Sequence, residues 1–402
     1  MQENLVICSL ENFKILFKLI INLSEYDSSV KVLLHQSQTA SILHKIFLSF
    51  EKWFDSHQPF NALDANNCSH TEDEQVKSPI KRQQQPQGHS SSRNANFLQE
   101  ARLRVRWERM FSNFLSTLHS LCITVDSGKA LLGQKFMKAL IRVISCTHYD
   151  VNIRRQAAEN VTELIKGCNG NKMILYHQNG ATAQPQQQQQ DDSESSCLGL
   201  LTLLTSSLIT AGDYALQATV TEILSRINMW NKIPDQVLFR MFDCIQPSTH
   251  SDLYYRISSL FRSIKGDSNF LRDLRSFVNT FNDLTDKYRI CPRMVTTLQT
   301  KKIVIGKYVR EFKNSNKEFV DFGIKCISFY IPYPTSSVGD DGGGGQSEIL
   351  SIEYQNIRAM KLSYTSGALL LQCNEDLEGF EHEYQAMDDD QWISISLTKE
   401  GM

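Results

Sequence analysis

Apolar side chains recur at helical spacing along most of the first 300 residues. In "ENFKILFKLIINLS" and "SILHKIFLSFEKWF" they return every three or four positions, which predicts amphipathic helices within residues 1–55. The same spacing runs over 97–121 and again from about 198 to 300. The greater part of the chain is therefore predicted to be helical.

The helix predicted over 97–121 carries four arginines, which raises the question of nucleic-acid binding. We interpret them instead as the solvated side of an amphipathic helix, because apolar residues at helical spacing supply a core side. The arginines are Arg102, Arg104, Arg106 and Arg109, and the apolar residues are Leu103, Trp107, Phe111 and Phe114.

Two helical stretches share one pattern, "DVNIRRQAAENVTEL" at 150–164 and "AGDYALQATVTEIL" at 211–224. Asp150 and Asp213 are predicted N-caps, because a carboxylate there accepts free backbone N–H groups and suits the helix dipole. Offsets of three, seven, eleven and fourteen from each Asp are apolar and trace one helical stripe. The matched pairs are Ile153 and Leu216, Ala157 and Val220, Val161 and Leu224, and Leu164 and Ile227. A third stretch begins similarly at Asp252 and then drifts.

The spacing of these starts predicts a repeat. Asp150 and Asp213 are 63 positions apart, of which about 43 remain without a Gln-rich insert, and the next step is 39. Periods near 40 are typical of armadillo or HEAT repeats, which stack into a solenoid with a groove. An irregular helical bundle is the alternative.

In armadillo units the last helix lines the concave face. That register would direct Glu159, Glu163, Glu222 and Arg226 into a partner-binding groove. The alternative is that these charges are ordinary solvated surface.

Composition changes in three places. Residues 56–96 and 177–196 hold few large apolar residues, and we expect disordered inserts there. After about residue 300, "EFVDFGIKCISFYIPYP", "ILSIEYQNIRAMKLSYTSGALLLQC" and "DDQWISISL" are typical of strands, with a tight turn at Ser366-Gly367. We therefore predict an α+β, mainly α, protein: a helical solenoid over 1–300 followed by a small antiparallel β domain over 301–402.

Charge and motifs point away from catalysis. The formal net charge of −2 supplies no basic domain, and the ten cysteines form no C-x-x-C pair. No apolar run is long enough for a membrane span, and no hydrolase, metalloprotease or dinucleotide motif occurs. We expect a soluble intracellular protein without enzymatic activity, cofactor, metal, membrane or small-molecule substrate. An enzyme with an unrecognised site is the remaining alternative.

Four stretches, with the change from helices to strands, carry a family resemblance. They are "VLLHQSQTASILHKIFLSFEKWF" (32–54), "AGDYALQATVTEILSRI" (211–227), "FVDFGIKCISFYI" (319–331) and "ILSIEYQNIRAMKLSYTSGALLLQC" (349–373). In this order they resemble the N-terminal region of the synaptonemal complex protein 2 family, the lateral-element proteins of meiotic chromosomes. The second stretch resembles an Ala-Gly-Asp-Tyr helix of that family.

The resemblance implies an armadillo-like domain joined to a pleckstrin-homology-like β domain, similar to the middle domain of the large FACT histone-chaperone subunit. It implies a nuclear scaffold on meiotic chromosomes that binds axis proteins, with chromatin or histones as further partners. Family members also carry a C-terminal coiled coil that pairs with synaptonemal complex protein 3. This chain ends at Met402 without one, so we expect docking rather than filament assembly.

Two other functions fit the same residues. One is a general nuclear solenoid adaptor without a meiotic role, which expression outside the germline would indicate. The other is a histone-binding module, which predicts salt-sensitive histone binding by residues 300–402.

Overall fold

A computed structural model shows a mainly helical α+β protein, as predicted. It describes residues 37–56, 90–124, 126–176, 193–242, 251–267, 269–290, 293–312, 318–332, 347–363, 366–377 and 392–398. The helices predicted within 1–36 lie outside the described residues, as do 57–89 and 177–192 of the two predicted inserts. The described helices begin at Ser90 and Ser193 after these two gaps, inside the C-terminal edges of the predicted inserts.

The described helices, numbered in chain order, run as follows: α1 Ser37–Ser56, α2 Ser90–Thr124, α3 Asp126–Ser145, α4 Val151–Ile165, α5 Asn169–Tyr176, α6 Ser193–Thr210, α7 Tyr214–Trp230, α8 Asp235–Met241, α9 Ser251–Ser263 and α10 Phe270–Lys287. The chain divides into two compact units, residues 1–137 with 148–171, and residues 138–147 with 172–402. The predicted domain boundary at residue 300 stays a prediction.

The first unit has an aromatic core between α1, α2 and α3. Phe47 lies with its ring centroid 5.3 Å from that of Phe111 and 5.8 Å from that of Phe136. Phe50 stacks on Phe111 at 4.9 Å. Edge-to-face and offset-stacked rings at these distances stabilise a core beyond the area they bury.

The arginines of α2 lie where the helical spacing predicts. Arg102, Arg106 and Arg109 are exposed, whereas Phe111 and Phe114 are buried. Arg104 is half-buried and donates to Glu108 at 3.0 Å and to the carbonyl of His148 at 2.9 Å. The interpretation of this helix as amphipathic, with a solvated arginine side, is confirmed.

Both predicted N-caps are confirmed. Asp150 accepts a hydrogen bond from the amide of Asn152 at 2.9 Å, and Asp213 accepts one from the amide of Leu216 at 2.8 Å. All eight apolar residues of the matched stripe are buried. The two stretches therefore have the same local structure, a capping Asp followed by a helix with one buried apolar stripe.

The shared pattern extends to the polar residue at offset four. Arg154 and Gln217 are both buried, whereas the third copy has an exposed Arg256. Helix α9 begins at Ser251, so Asp252 lies in its first turn rather than before it. The third stretch therefore departs from the pattern of the first two in structure as well as in sequence.

The second unit contains α6 to α10 and an antiparallel sheet. Helix α7 packs on α6 and α10, α8 packs on α6 and α9, and α9 packs on α10. The strands are β1 Thr296–Ile305, β2 Tyr308–Glu311, β3 Glu318–Phe322, β4 Cys326–Pro332, β5 Ser347–Glu353, β6 Ile357–Ser363, β7 Ala368–Cys373 and β8 Ile393–Leu397. Their order is β5-β4-β3-β1-β8-β7-β6, with β2 paired to β1.

The sheet begins earlier than the sequence predicts. Helical pattern was expected to about residue 300, but α10 ends at Lys287 and β1 begins at Thr296. The first half of β1 pairs with β3, and its second half pairs with β2 and β8. This pairing overrides the weak local pattern, and Gly306, at a φ of 55°, forms the β1–β2 turn. The strands predicted after 318 and the turn at Gly367, with a φ of 62°, are confirmed.

Candidate interaction surface and helix–sheet junction

Two of the four predicted groove residues lie on α4 in the first unit. Glu159 is exposed, at offset nine from the capping Asp150 and off the buried stripe. Glu163, one turn later, is half-buried and lies 3.2 Å from the ammonium of Lys166. The two carboxylates give this side of α4 a polar face of the kind that a binding surface or plain solvated surface would have.

The other two lie on α7 in the second unit, where they form a pair. Arg226 donates to the carboxylate of Glu222 at 2.7 Å. The Arg226 guanidinium also lies 5.8 Å from the ring centroid of Phe270, the first residue of α10. Both side chains are half-buried, so part of their charge is satisfied within the protein. The assignment of all four residues to a groove stays a prediction.

The "AGDY" stretch does more than open α7. The backbone carbonyl of Gly212 accepts a hydrogen bond from the amide of Ile324 at 2.8 Å, in the turn between β3 and β4. Gly212 has a φ of +59°, and a Cβ there would lie 2.4 Å from Cδ1 of Ile324. A Cβ on Gly323 would lie 2.7 Å from the Gly212 carbonyl oxygen. Two glycines therefore allow the helix start and the strand turn to approach closely.

Asp213 connects the same two elements through its side chain. One carboxylate oxygen caps α7, and the other accepts from Sγ of Cys326 at 3.4 Å. Asp213 and Cys326 are both buried. The capping residue of the repeat pattern is thus also a contact between helix and sheet.

A buried ion pair completes this junction. Nη1 of Arg275, on α10, lies 2.8 Å from both carboxylate oxygens of Asp321, on β3. The Thr297 hydroxyl donates to the same carboxylate at 2.7 Å. The Arg275 guanidinium covers the ring of Tyr214 at 3.4 Å from its centroid. Burial raises the pKa of Asp321, and the charge and hydrogen bond of Arg275 partly offset that rise.

A reciprocal pair of side-chain amides joins α7 to α10. Gln217 donates to Asn282 at 2.8 Å and accepts from it at 2.9 Å, and it also donates to the carbonyl of Leu208 at 2.7 Å. These bonds join α6, α7 and α10 at one place. The burial of Gln217, the polar residue at offset four on α7, is therefore offset by hydrogen bonds to two neighbouring helices.

The sequence reasoning missed Arg275 and Asp321. One signal was available, because Asp321 interrupts the apolar strand "FVDF" at a position where a buried charge requires a partner. Its partner lies 46 positions away on a helix, and no local pattern points to it.

Within the described part of the chain, no group of three or more His, Cys, Asp or Glu is placed to hold a metal ion. None of its helices is both long and apolar enough to cross a membrane.

The fold defines a class of protein, a mainly helical α+β protein in which α7 and α10 contact an antiparallel sheet. A family model described as a repeat of unknown function, DUF8079, matches residues 63–280, more than half of the chain. The chain belongs to this family. Comparison with curated proteins gives no match.

A solved structure titled "Synaptonemal complex protein" is similar to the chain, with a TM-score of 0.49 and 15% sequence identity. The similarity covers 77% of this chain and 69% of the other. A similarity at this level defines neither a shared fold nor a shared function.

Proposed function

We propose that this protein is a non-catalytic scaffold whose helical repeats bind other proteins. The observation that carries the proposal is the pair of matched helices, α4 and α7. Each begins at a capping Asp, buries the same four offsets and leaves Glu159 or Glu222 off the buried stripe. Repeats that bury one stripe and present the other side mainly supply binding surface.

The finer architecture belongs to the same proposal. The helices are proposed to be armadillo- or HEAT-like, and the sheet to be pleckstrin-homology-like. Membership of a family described as a repeat supports the first part. The eight-stranded antiparallel sheet supports the proposal of a pleckstrin-homology-like domain only in that its strands are antiparallel.

The proposed setting is the meiotic chromosome axis, in the nucleus, with axis proteins as partners. The support is the sequence resemblance of residues 32–54, 211–227, 319–331 and 349–373 to the synaptonemal complex protein 2 family. The junction described above adds a physical reason for that resemblance, because Gly212 and Asp213 in one stretch contact Ile324 and Cys326 in another.

The test is the location of the tagged chain in germ cells during meiotic prophase. Continuous threads along chromosome axes are expected. Diffuse signal together with equal expression in somatic tissue would overturn the meiotic proposal and favour a general adaptor. Glu159→Gln and Glu222→Gln, each made singly, are expected to weaken the axis signal if these residues contact the partner. Gln134→Lys, at an exposed position of α3, makes the same one-unit change in charge and serves as the control.

Chromatin or histones are the second proposed class of partner. Histones are basic, so binding to them would require an acidic surface and would weaken as salt rises. Pull-down of core histones by the full chain at two salt concentrations tests this. Equal binding at both concentrations would argue against an electrostatic histone site.

A further inference from the structure

The turn between β3 and β4 is held from two sides. On one side, the amide of Ile324 donates to the Gly212 carbonyl at the start of α7, at 2.8 Å. On the other side, the Tyr354 hydroxyl donates to the Gly323 carbonyl at 2.8 Å. The amide of Tyr354 also donates to the Lys325 carbonyl at 2.9 Å. Tyr354 therefore helps to hold the turn in the position from which it contacts helix α7.

The turn ends at a buried thiol. Cys326, the first residue of β4, is 2% exposed, and its Sγ donates to a carboxylate oxygen of Asp213 at 3.4 Å. The Cys326 carbonyl accepts from the amide of Gly323 at 2.9 Å, which closes the turn. Movement of the turn away from α7 would expose this thiol, so the reactivity of Cys326 reports whether the turn is in place.

Tyr354 lies between the two edge strands of the sheet. It begins the 3₁₀ helix Tyr354–Asn356, which connects β5 to β6. Within the described sheet, β5 pairs only with β4 and β6 only with β7. The Tyr354 side chain is 39% exposed. A connection between edge strands opens locally more readily than a central strand does, so an enzyme can reach this tyrosine.

The Tyr354 hydroxyl can stop donating either by ionisation or by covalent modification. Burial raises the pKa of the phenol, and the nearby Cys326 raises it further, so the hydroxyl keeps its proton at physiological pH. A phosphoryl group on the same oxygen would replace that proton with about −1.5 to −2 units of charge at pH 7. The modified oxygen would repel the Gly323 carbonyl instead of donating to it.

We propose that Tyr354 is a tyrosine phosphorylation site, and that its phosphorylation releases the β3–β4 turn from α7. In this step the phenol oxygen attacks the γ-phosphorus of a nucleoside triphosphate, and the bond to the diphosphate leaving group breaks. The phenol proton passes to the base of the kinase. The contact between Ile324 and Gly212 then loses the support of Tyr354, and Cys326 becomes accessible. This switch would operate whether or not the protein acts at the meiotic axis.

The first test is phosphorylation of the full folded chain by a broad-specificity tyrosine kinase domain with MgATP, mapped by mass spectrometry. Phosphate is expected on Tyr354, and Tyr354→Phe is expected to lack that phosphopeptide. Absence of phosphate from Tyr354 would overturn the proposal.

The second test measures release of the turn without a kinase. The full chain carries p-carboxymethylphenylalanine, a charged analogue of phosphotyrosine, in place of Tyr354, and iodoacetamide labelling of Cys326 is followed by mass spectrometry. Labelling is expected to be about tenfold faster than in the unmodified chain, because loss of a hydrogen bond and added repulsion shift local opening by that order. Tyr354→Phe removes the donor without adding charge and is expected to give a smaller increase.

Two controls separate release of the turn from general unfolding. The same analogue in place of Tyr255, which is 68% exposed on α9, is expected to leave the labelling of Cys326 unchanged. Cys373, buried in β7, is expected to stay unlabelled in every variant. Unchanged labelling of Cys326 with the analogue at Tyr354 would overturn the proposal. Equal acceleration from Tyr255, or labelling of Cys373 together with Cys326, would overturn it as well.

Discussion

Arg275 places one nitrogen, Nη1, 2.8 Å from each carboxylate oxygen of Asp321, and so joins helix α10 to strand β3. Asp321 is 1% exposed and the Arg275 side chain 11% exposed, which makes this a buried pair. A buried pair contributes little net stability over apolar residues, but losing one partner leaves a charge without compensation. Removing either partner of this contact between α10 and β3 is therefore expected to be costly.

Arg275→Leu is expected to lower the free energy of unfolding by about 3–5 kcal/mol, because Asp321 would remain buried without its counter-charge. Urea unfolding followed by circular dichroism measures this. Arg272→Leu, on the same helix, is the matched control, since that side chain is 74% exposed and should cost no more than about 0.5 kcal/mol. Equal losses in the two variants would show that the Arg275–Asp321 contact is not formed.

Gly212→Ala and Gly323→Ala are each expected to destabilise the second unit. The first adds a Cβ against Ile324 at a positive φ, a conformation that costs of order 1–3 kcal/mol for a non-glycine residue. The second places a Cβ 2.7 Å from a backbone oxygen, which cannot rotate away. Gly170→Ala is the control, because a Cβ there meets nothing within 4 Å and alanine favours the helix. Melting temperatures should fall for the first two variants and stay level or rise for the control.

The two capping aspartates are expected to contribute differently to the free energy of unfolding. Asp150→Ala should cost about 1 kcal/mol, the usual value for an N-cap. Asp213→Ala should cost roughly 2–3 kcal/mol, since its cap bond is buried and the Leu216 amide would be left without an acceptor, whereas the Asn152 amide at the more exposed Asp150 cap can bind water. Asp213→Asn keeps a capping oxygen and should recover part of the loss. Denaturation midpoints of the three variants check the order, and a larger effect at Asp150 would contradict it.

Cys122 is expected to resist alkylation in the folded protein. Burial raises the pKa of its thiol to about 12, with Lys129 acting in the opposite direction, so the reactive thiolate is scarce at pH 8. Iodoacetamide labelling read by mass spectrometry should therefore modify the half-buried Cys146 first and Cys122 only after denaturant is added. Early labelling of Cys122 would mean that α2 opens locally.

Prediction from sequence succeeded where the signal was local. Asp150 and Asp213 each cap a helix that begins one residue later, and the stripe that follows depends only on spacing along one helix. It was weaker at β1, because a strand that pairs with three others takes its stability from residues far along the chain. The groove residues show a third case. Glu159 is exposed and Glu222 half-buried, but whether they line a groove depends on the arrangement of several helices.

The sequence by itself determined the helices, their caps, the strands after residue 318 and the change from helices to strands. Each of these follows from residues that lie close together along the chain. Only the tertiary structure decided what the polar groups do. It paired Arg275 with Asp321 and set Gly212 against Ile324. The reason is physical: burial and desolvation are properties of a place in the folded chain, and residues more than a hundred positions apart can share that place.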